Sequence, residues 1–96
     1  MEALSISLGV RTKLNRKVPP VSEDEIAECF ANRCGVNLLD EREDNKTDPP
    51  TLWFVAETNG GRLLKIVYVF KNGTHYLKTA YDPNEIEIAI YEKYGK

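Results

Sequence analysis

The sequence predicts an α+β domain: one or two N-terminal helices, an antiparallel meander of three to four strands, and a C-terminal helix packed on the sheet. Three observations carry this reading. Arg62 to Phe70 reads RLLKIVYVF, the longest apolar, β-branched and aromatic run in the chain. A strand with so few polar positions needs cover on both faces and belongs in the middle of a sheet. Asn59-Gly60-Gly61 before it and Lys71-Asn72-Gly73 after it are hairpin turn signals, so the neighbouring runs fold back as antiparallel partners. Capped helical patterns on either side of the strands supply the cover.

At 96 residues the chain is read as one domain spanning residues 1–96. A chain of that length buries roughly 60–70% of the surface its unfolded form exposes, enough for one core without staples. The 42% hydrophobic and 29% charged fractions are those of an ordinary globular protein. No run approaches the roughly 18 apolar residues of a membrane span. The first residues, MEALSISLGV, lack a basic segment and a long apolar stretch, so no export signal is read and a cytoplasmic, membrane-free protein is expected.

In chain order, Leu8, Val10 and Leu14 interleave with Arg11, Lys13 and Arg16, a pattern that suits either a short amphipathic helix or an extended arm, with Gly9 weakening the helix. Lys17-Val18-Pro19-Pro20 ends this segment, because each proline lacks an amide donor and restricts its predecessor. Val21-Ser22-Glu23-Asp24-Glu25-Ile26 then starts a helix. Ser22 caps the first turn, Glu25 reaches back to the cap, and Val21 with Ile26 forms a hydrophobic staple. Its buried stripe is Ile26, Cys29 and Phe30, extending toward Cys34, with Gly35 placed as a left-handed stop.

Val36–Leu39 is a short edge strand, and the charged stretch from Asp40 to Pro50 is expected to be the most mobile part. Thr51–Glu57 enters the sheet ahead of the central strand. In Thr74–Tyr81, period-2 alternation places His75, Leu77, Thr79 and Tyr81 on one face and Tyr76, Lys78 and Ala80 on the other. Asp82-Pro83-Asn84-Glu85 reads as a cap, a first-turn proline and a capping-box glutamate, opening a helix to about Lys93. Its packing stripe is Ile86, Ala89, Ile90 and Tyr94, with Ile88 and Tyr91 around the side where they can extend the apolar face.

Cys29 and Cys34 are the only cysteines and His75 the only histidine. That leaves no ligand set for a metal, so the cysteines read as small buried apolar residues. The glycine pairs are hairpin turns rather than phosphate loops opening a helix, and no nucleophile elbow is present, so no cofactor is expected. The net charge of −2 does not fit a strong nucleic-acid binder, yet it is unevenly spread. Residues 1–20 carry net +3 and residues 49–81 net +3, whereas residues 21–48 carry net −6 and residues 82–96 net −2. The arm and the sheet are the basic parts, and Lys65 and Lys78 can share an exposed, phosphate-binding sheet surface. His75 beside its turn reads as a surface residue.

Two stretches carry a family resemblance. Val21-Ser22-Glu23-Asp24-Glu25-Ile26-Ala27-Glu28-Cys29-Phe30-Ala31-Asn32 is one. Arg62–Tyr68 through Leu77-Lys78-Thr79-Ala80-Tyr81, with Glu87 and Tyr91, is the other. Together they cover about half the chain and resemble the BrnT-type toxins of the RelE/ParE superfamily, although Tyr81 stands where that family's tail carries arginine. The tail Lys78-Thr79-Ala80-Tyr81-Asp82-Pro83-Asn84-Glu85 is also similar to that of short chains named ADP-ribosyl-(dinitrogen reductase) hydrolase; the acidic metal motifs of the larger all-helical enzyme of that name cannot be located here.

The toxin resemblance implies a RelE/BrnT-like fold and a component of a bacterial type II toxin–antitoxin system. It implies a metal-independent endoribonuclease with an antitoxin protein and RNA as partners. On that reading Arg11, Lys13, Arg16, Lys17, Arg62, Lys65 and Lys78 hold RNA phosphates, and His75, Tyr81 and Glu85 are the candidate proton-transfer groups. The alternative, from a different class, is a non-catalytic protein-interaction module that binds a partner through its sheet edge or final helix.

Overall fold

The computed structural model describes residues 3–39 and 49–96. The elements are β1 (Ala3–Ser5), α1 (Leu8–Arg16), α2 (Glu23–Asn32), β2 (Leu38–Leu39), β3 (Thr51–Glu57), β4 (Leu63–Lys71), β5 (Thr74–Tyr81) and α3 (Glu85–Tyr94). The strands form one sheet in the order β1-β5-β4-β3-β2. The α+β class and the central position of β4 agree with the sequence reading. The three- to four-stranded antiparallel meander does not: the sheet has five strands and is mixed, because β1 pairs parallel to β5. The expectation about residues 40–48 lies outside the described residues.

Local chemistry sets the helix starts. Segment 8–16 is helical, opened by Ser7, whose hydroxyl accepts the Val10 amide at 3.3 Å. At α2 the Ser22 hydroxyl accepts the Glu25 amide and the Glu25 carboxylate accepts the Ser22 amide, the reciprocal box the sequence encodes. Staple residues Val21 and Ile26 are both buried. The helix stops at Asn32 with Arg33 in an extended conformation, so Gly35 is not a left-handed stop. It is glycine for space instead, since a Cβ there would lie 2.1 Å from the Gly95 carbonyl oxygen and 2.8 Å from the Tyr91 hydroxyl. The β4–β5 turn does use positive φ, at Asn72 and Gly73.

The sheet separates two cores. Phe54, Tyr68 and His75 meet Phe30 of α2 through ring centroids 4.9 to 5.3 Å apart, so this face carries α2. Trp53 meets Tyr91 of α3 at 5.8 Å, so the opposite face carries α3. In β5 the alternation breaks. Val67 pairs with Thr79 but Tyr68 pairs with Leu77, so Lys78 is the extra residue of a β-bulge. The bulge turns His75, Leu77 and Ala80 toward the α2 face and Tyr76, Thr79 and Tyr81 toward the other, correcting the single period expected from sequence.

Helix α3 is also rotated from its expected phase. Its cap is Asn84, not Asp82: the Asn84 carboxamide oxygen accepts the Glu87 amide at 2.8 Å, and Glu87 accepts the Asn84 amide at 3.0 Å. The side turned inward is Glu87, Ile88 and Tyr91, with Tyr91 1% exposed. Ile86, Ile90 and Tyr94, expected to pack, are 71%, 40% and 61% exposed, so the apolar stripe faces outward. Of the cysteines, Cys29 is buried as expected and Cys34 is exposed.

Candidate functional site

The chemistry-bearing side chains of the sheet gather under α3. In the ladder Lys65 of β4 sits between Val55 and Tyr81, and all three point to the α3 face. The Lys65 ammonium donates to Glu87 Oε2 at 2.6 Å, and the Tyr81 hydroxyl donates to the same oxygen at 2.7 Å. Lys65 Nζ also lies 4.4 Å from the Trp53 ring centre and 5.6 Å from that of Tyr81. Lys65 is only 6% exposed, so the expected shared surface with Lys78 does not form. Lys78 is half-buried at the bulge.

These contacts move the carboxyl and the phenol in opposite directions. Burial alone raises the Glu87 carboxyl, but the bonds from Lys65, Tyr81 and the Asn84 amide outweigh it and hold the group below its ordinary value. Tyr81 moves up, first from burial and then from its bond to Glu87, with Lys65 opposing. The result is a carboxylate flanked by an ammonium and a neutral phenol. Lys65 and Tyr81 both donate to that one carboxylate oxygen, which makes the cluster a tie between β4, β5 and α3.

Arg62 is a second tie. Nε and Nη2 grip Asp82 Oδ1 and Oδ2, each at 2.9 Å, the bidentate geometry that suits a guanidinium. Nη1 donates to the Pro20 carbonyl at 2.7 Å and reaches both Glu25 oxygens at 3.3 Å, while Nη2 donates to the Pro19 carbonyl at 3.1 Å. Asp82 holds Arg62 further into its charged form, and Arg62 in turn holds the Asp82 carboxyl low. Glu25 is held low mainly by the Ser22 amide, with Arg62 adding to it. The guanidinium expected to bind phosphate thus joins β4 to the start of α2 and the end of β5.

The three candidate proton-transfer groups do not converge. His75 is 8% exposed and packed among Phe30, Phe70 and Tyr68, with Nδ1 3.3 Å from the Ala3 carbonyl oxygen, so it belongs to the interior and not to the surface. Tyr81 points to the opposite sheet face, and Glu85 is exposed on the first turn of α3. Of the arm bases, Arg11 pairs with Glu23, Lys13 and Arg16 are exposed at the end of α1, and Lys17 Nζ lies 5.7 Å from the Tyr81 ring.

Two surface features were not read from sequence. A groove of about 580 Å³ between α3 and β2 is lined by Leu38, Leu39, Trp53, Ile90 and Tyr94, beside the exposed Ile86–Ile90–Tyr94 stripe. A second, of about 610 Å³, follows the outer side of β3. Glu87 was missed as a site residue because its charge masks its inward phase; the Asn84-to-Glu87 spacing, a second overlapping capping box, was the signal that could have found it. Among the described residues no three His, Cys, Asp or Glu side chains converge on a metal-sized site, and no helix is long and apolar enough to cross a membrane. No protein-family model, curated protein or solved structure matches the chain.

Proposed function

We propose that this chain is a non-catalytic protein-interaction domain, cytoplasmic and built on a toxin-like α+β scaffold. One observation carries the reading: α3 turns its apolar stripe outward while the sheet's best cations are consumed inside. Ile86, Ile90 and Tyr94 follow one another at four-residue steps along one side of the helix, continuous with the groove at Leu38 and Leu39. A helix of a partner protein, apolar along one side, suits that surface, because such a helix lays its anchors into a neighbouring groove. The resemblance to BrnT-type toxins makes an antitoxin the kind of partner to look for.

The toxin reading, with RNA as the partner, draws its support from Lys13 and Arg16 on the last turn of α1 and from Lys17 beside Tyr81. It requires phosphate binding without Arg62 or Lys65, whose donors serve Asp82, Glu25 and Glu87. The test is co-purification from the native cell with wild type and with Ile90→Asp/Tyr94→Asp. The expected result is one stoichiometric polypeptide with wild type, lost with the variant, and no bound RNA. RNA on both proteins without a polypeptide overturns the reading.

A further inference from the structure

Among the described residues, strand β3 has a neighbour on its outer side for only part of its length. β2 pairs with Leu52 and Trp53, and the preceding chain then leaves the register, where the Val36 amide donates to the Gly95 carbonyl at 2.7 Å instead of to β3. Which backbone groups this uncovers follows from the hairpin. The Thr58 amide donates to the Arg62 carbonyl at 2.8 Å and the Arg62 amide to Thr58 Oγ1 at 3.1 Å, so Thr58 and Arg62 stand at a bonded position of the ladder. In an antiparallel ladder such pairs alternate, so Ala56 directs its amide and carbonyl toward β4 while Val55 and Glu57 direct theirs outward. The Glu57 carbonyl accepts Asn32 Nδ2 at 3.0 Å. The Val55 amide and carbonyl and the Glu57 amide have no outward partner among the described residues.

The groove of about 610 Å³ lies along this edge. Asn32 and Cys34 line its α2 side, and Ile88, Tyr91 and Glu92 its α3 side. Two further observations say what fits. The Tyr91 hydroxyl is buried without a hydrogen-bond partner among the described residues, a costly arrangement when nothing engages it. The Glu57 carboxylate is exposed and has no ion pair among the described residues, whereas Glu92 is matched by Lys96 at 2.9 Å. The groove therefore offers ladder groups in its floor, an apolar patch at Ile88 and, among the described residues, the unpaired Glu57 carboxylate, its Lys96 being matched by Glu92.

We infer that the outer edge of β3 at Val55–Glu57 accepts a short extended segment of a partner polypeptide as an added strand, carrying a basic residue toward Glu57. Added strands draw affinity from the main-chain ladder and specificity from alternate side chains. Three residues at about 3.3 Å each match the unpaired length. On the α3 side an arginine or lysine lays its stem over Ile88 and brings its head to Glu57. On the α2 side, Asn32 and Cys34 favour a small residue. This deepens the protein-interaction reading and rests on it, using a different surface from the α3 stripe.

The test is titration of the 15N-labelled full chain with the capped peptide Val-Arg-Val-Arg-Val up to about 1 mM. Two control peptides run beside it, Val-Glu-Val-Glu-Val and the arginine peptide N-methylated along its backbone. The expected result is shifts and slowed hydrogen exchange at the Val55 and Glu57 amides with the arginine peptide alone. Val55→Pro removes the outward amide without touching the β4 ladder and is expected to weaken binding at least tenfold. Glu57→Gln is expected to weaken it severalfold. Equal binding by the N-methylated peptide overturns the inference even if Val55→Pro fails to fold, and so does an absence of shifts. Shifts confined to Ile86, Ile90 and Tyr94 overturn it too, while leaving the protein-interaction reading intact.

Discussion

Lys65 Nζ and Glu87 Oε2 meet at 2.6 Å beneath α3, where the lysine is 7% and the glutamate 16% exposed in their side chains. This pair decides how the sheet's charge is used. A lysine in the middle of a basic sheet would be free to bind a phosphate, but here a helix delivers the counter-ion from 22 residues further along the chain. Removing one partner leaves the other charged and buried, which costs about 3–5 kcal/mol, whereas removing both is close to neutral. Lys65→Met and Glu87→Gln are each expected to lower unfolding free energy in urea by about that amount. The double variant should recover most of the loss, and simple additivity would contradict the tie.

Arg62→Lys keeps the charge but loses the fork that serves Asp82, Glu25 and two proline carbonyls at once. The expected loss is about 2–3 kcal/mol by urea unfolding with an unchanged m-value. A change below about 0.5 kcal/mol would show that the guanidinium contacts are dispensable.

The carboxylates of Glu25, Asp82 and Glu87 are all held below their ordinary values of 4.5, 3.8 and 4.5. For groups whose folded value is depressed, the stabilisation is present above the unfolded value and lost as pH falls through the folded one. The melting temperature is therefore expected to hold near neutrality and fall steadily below about pH 4.5. Tyr81 runs the other way. Its folded value is raised, so its contribution is complete below 10 and fades as pH rises past that. Absorbance titration at alkaline pH should show Tyr81→Phe removing a phenol that ionises above the ordinary tyrosine value.

His75 packs as an aromatic ring between Phe30, Tyr68 and Phe70. His75→Phe preserves that packing and is expected to cost less than about 1.5 kcal/mol, against roughly 3 kcal/mol for His75→Ala. Neither change should alter messenger RNA in cells expressing the protein. Loss of an RNA-cleaving activity in His75→Phe at unchanged stability would restore the histidine as a catalytic group.

What the sequence made legible was local. The Ser22–Glu25 box, strands Thr51–Glu57 and Thr74–Tyr81 and the Asn72-Gly73 turn are each decided within a few residues, and each appears where the sequence puts it. What it concealed was decided at a distance. Asp82 has the spacing of a cap but is drawn off by Arg62, 20 residues upstream, and Asn84 takes its place. The bulge at Lys78 leaves no trace in composition, yet it moves His75 and Tyr81 to opposite faces. α3 shows an apolar stripe at the usual spacing, but Glu87 bonds Lys65 and sets the opposite phase. β1, with three residues, is too short for a periodicity to register.

On the proposed reading, the sheet's cations hold the fold together and the chain binds a protein instead of cleaving RNA. Mapping the 5′ ends of total messenger RNA after induced expression of wild type and of Lys65→Ala/Lys78→Ala tests it most directly. Neither protein is expected to generate new ends. Defined new ends with wild type that disappear in the double variant would contradict it.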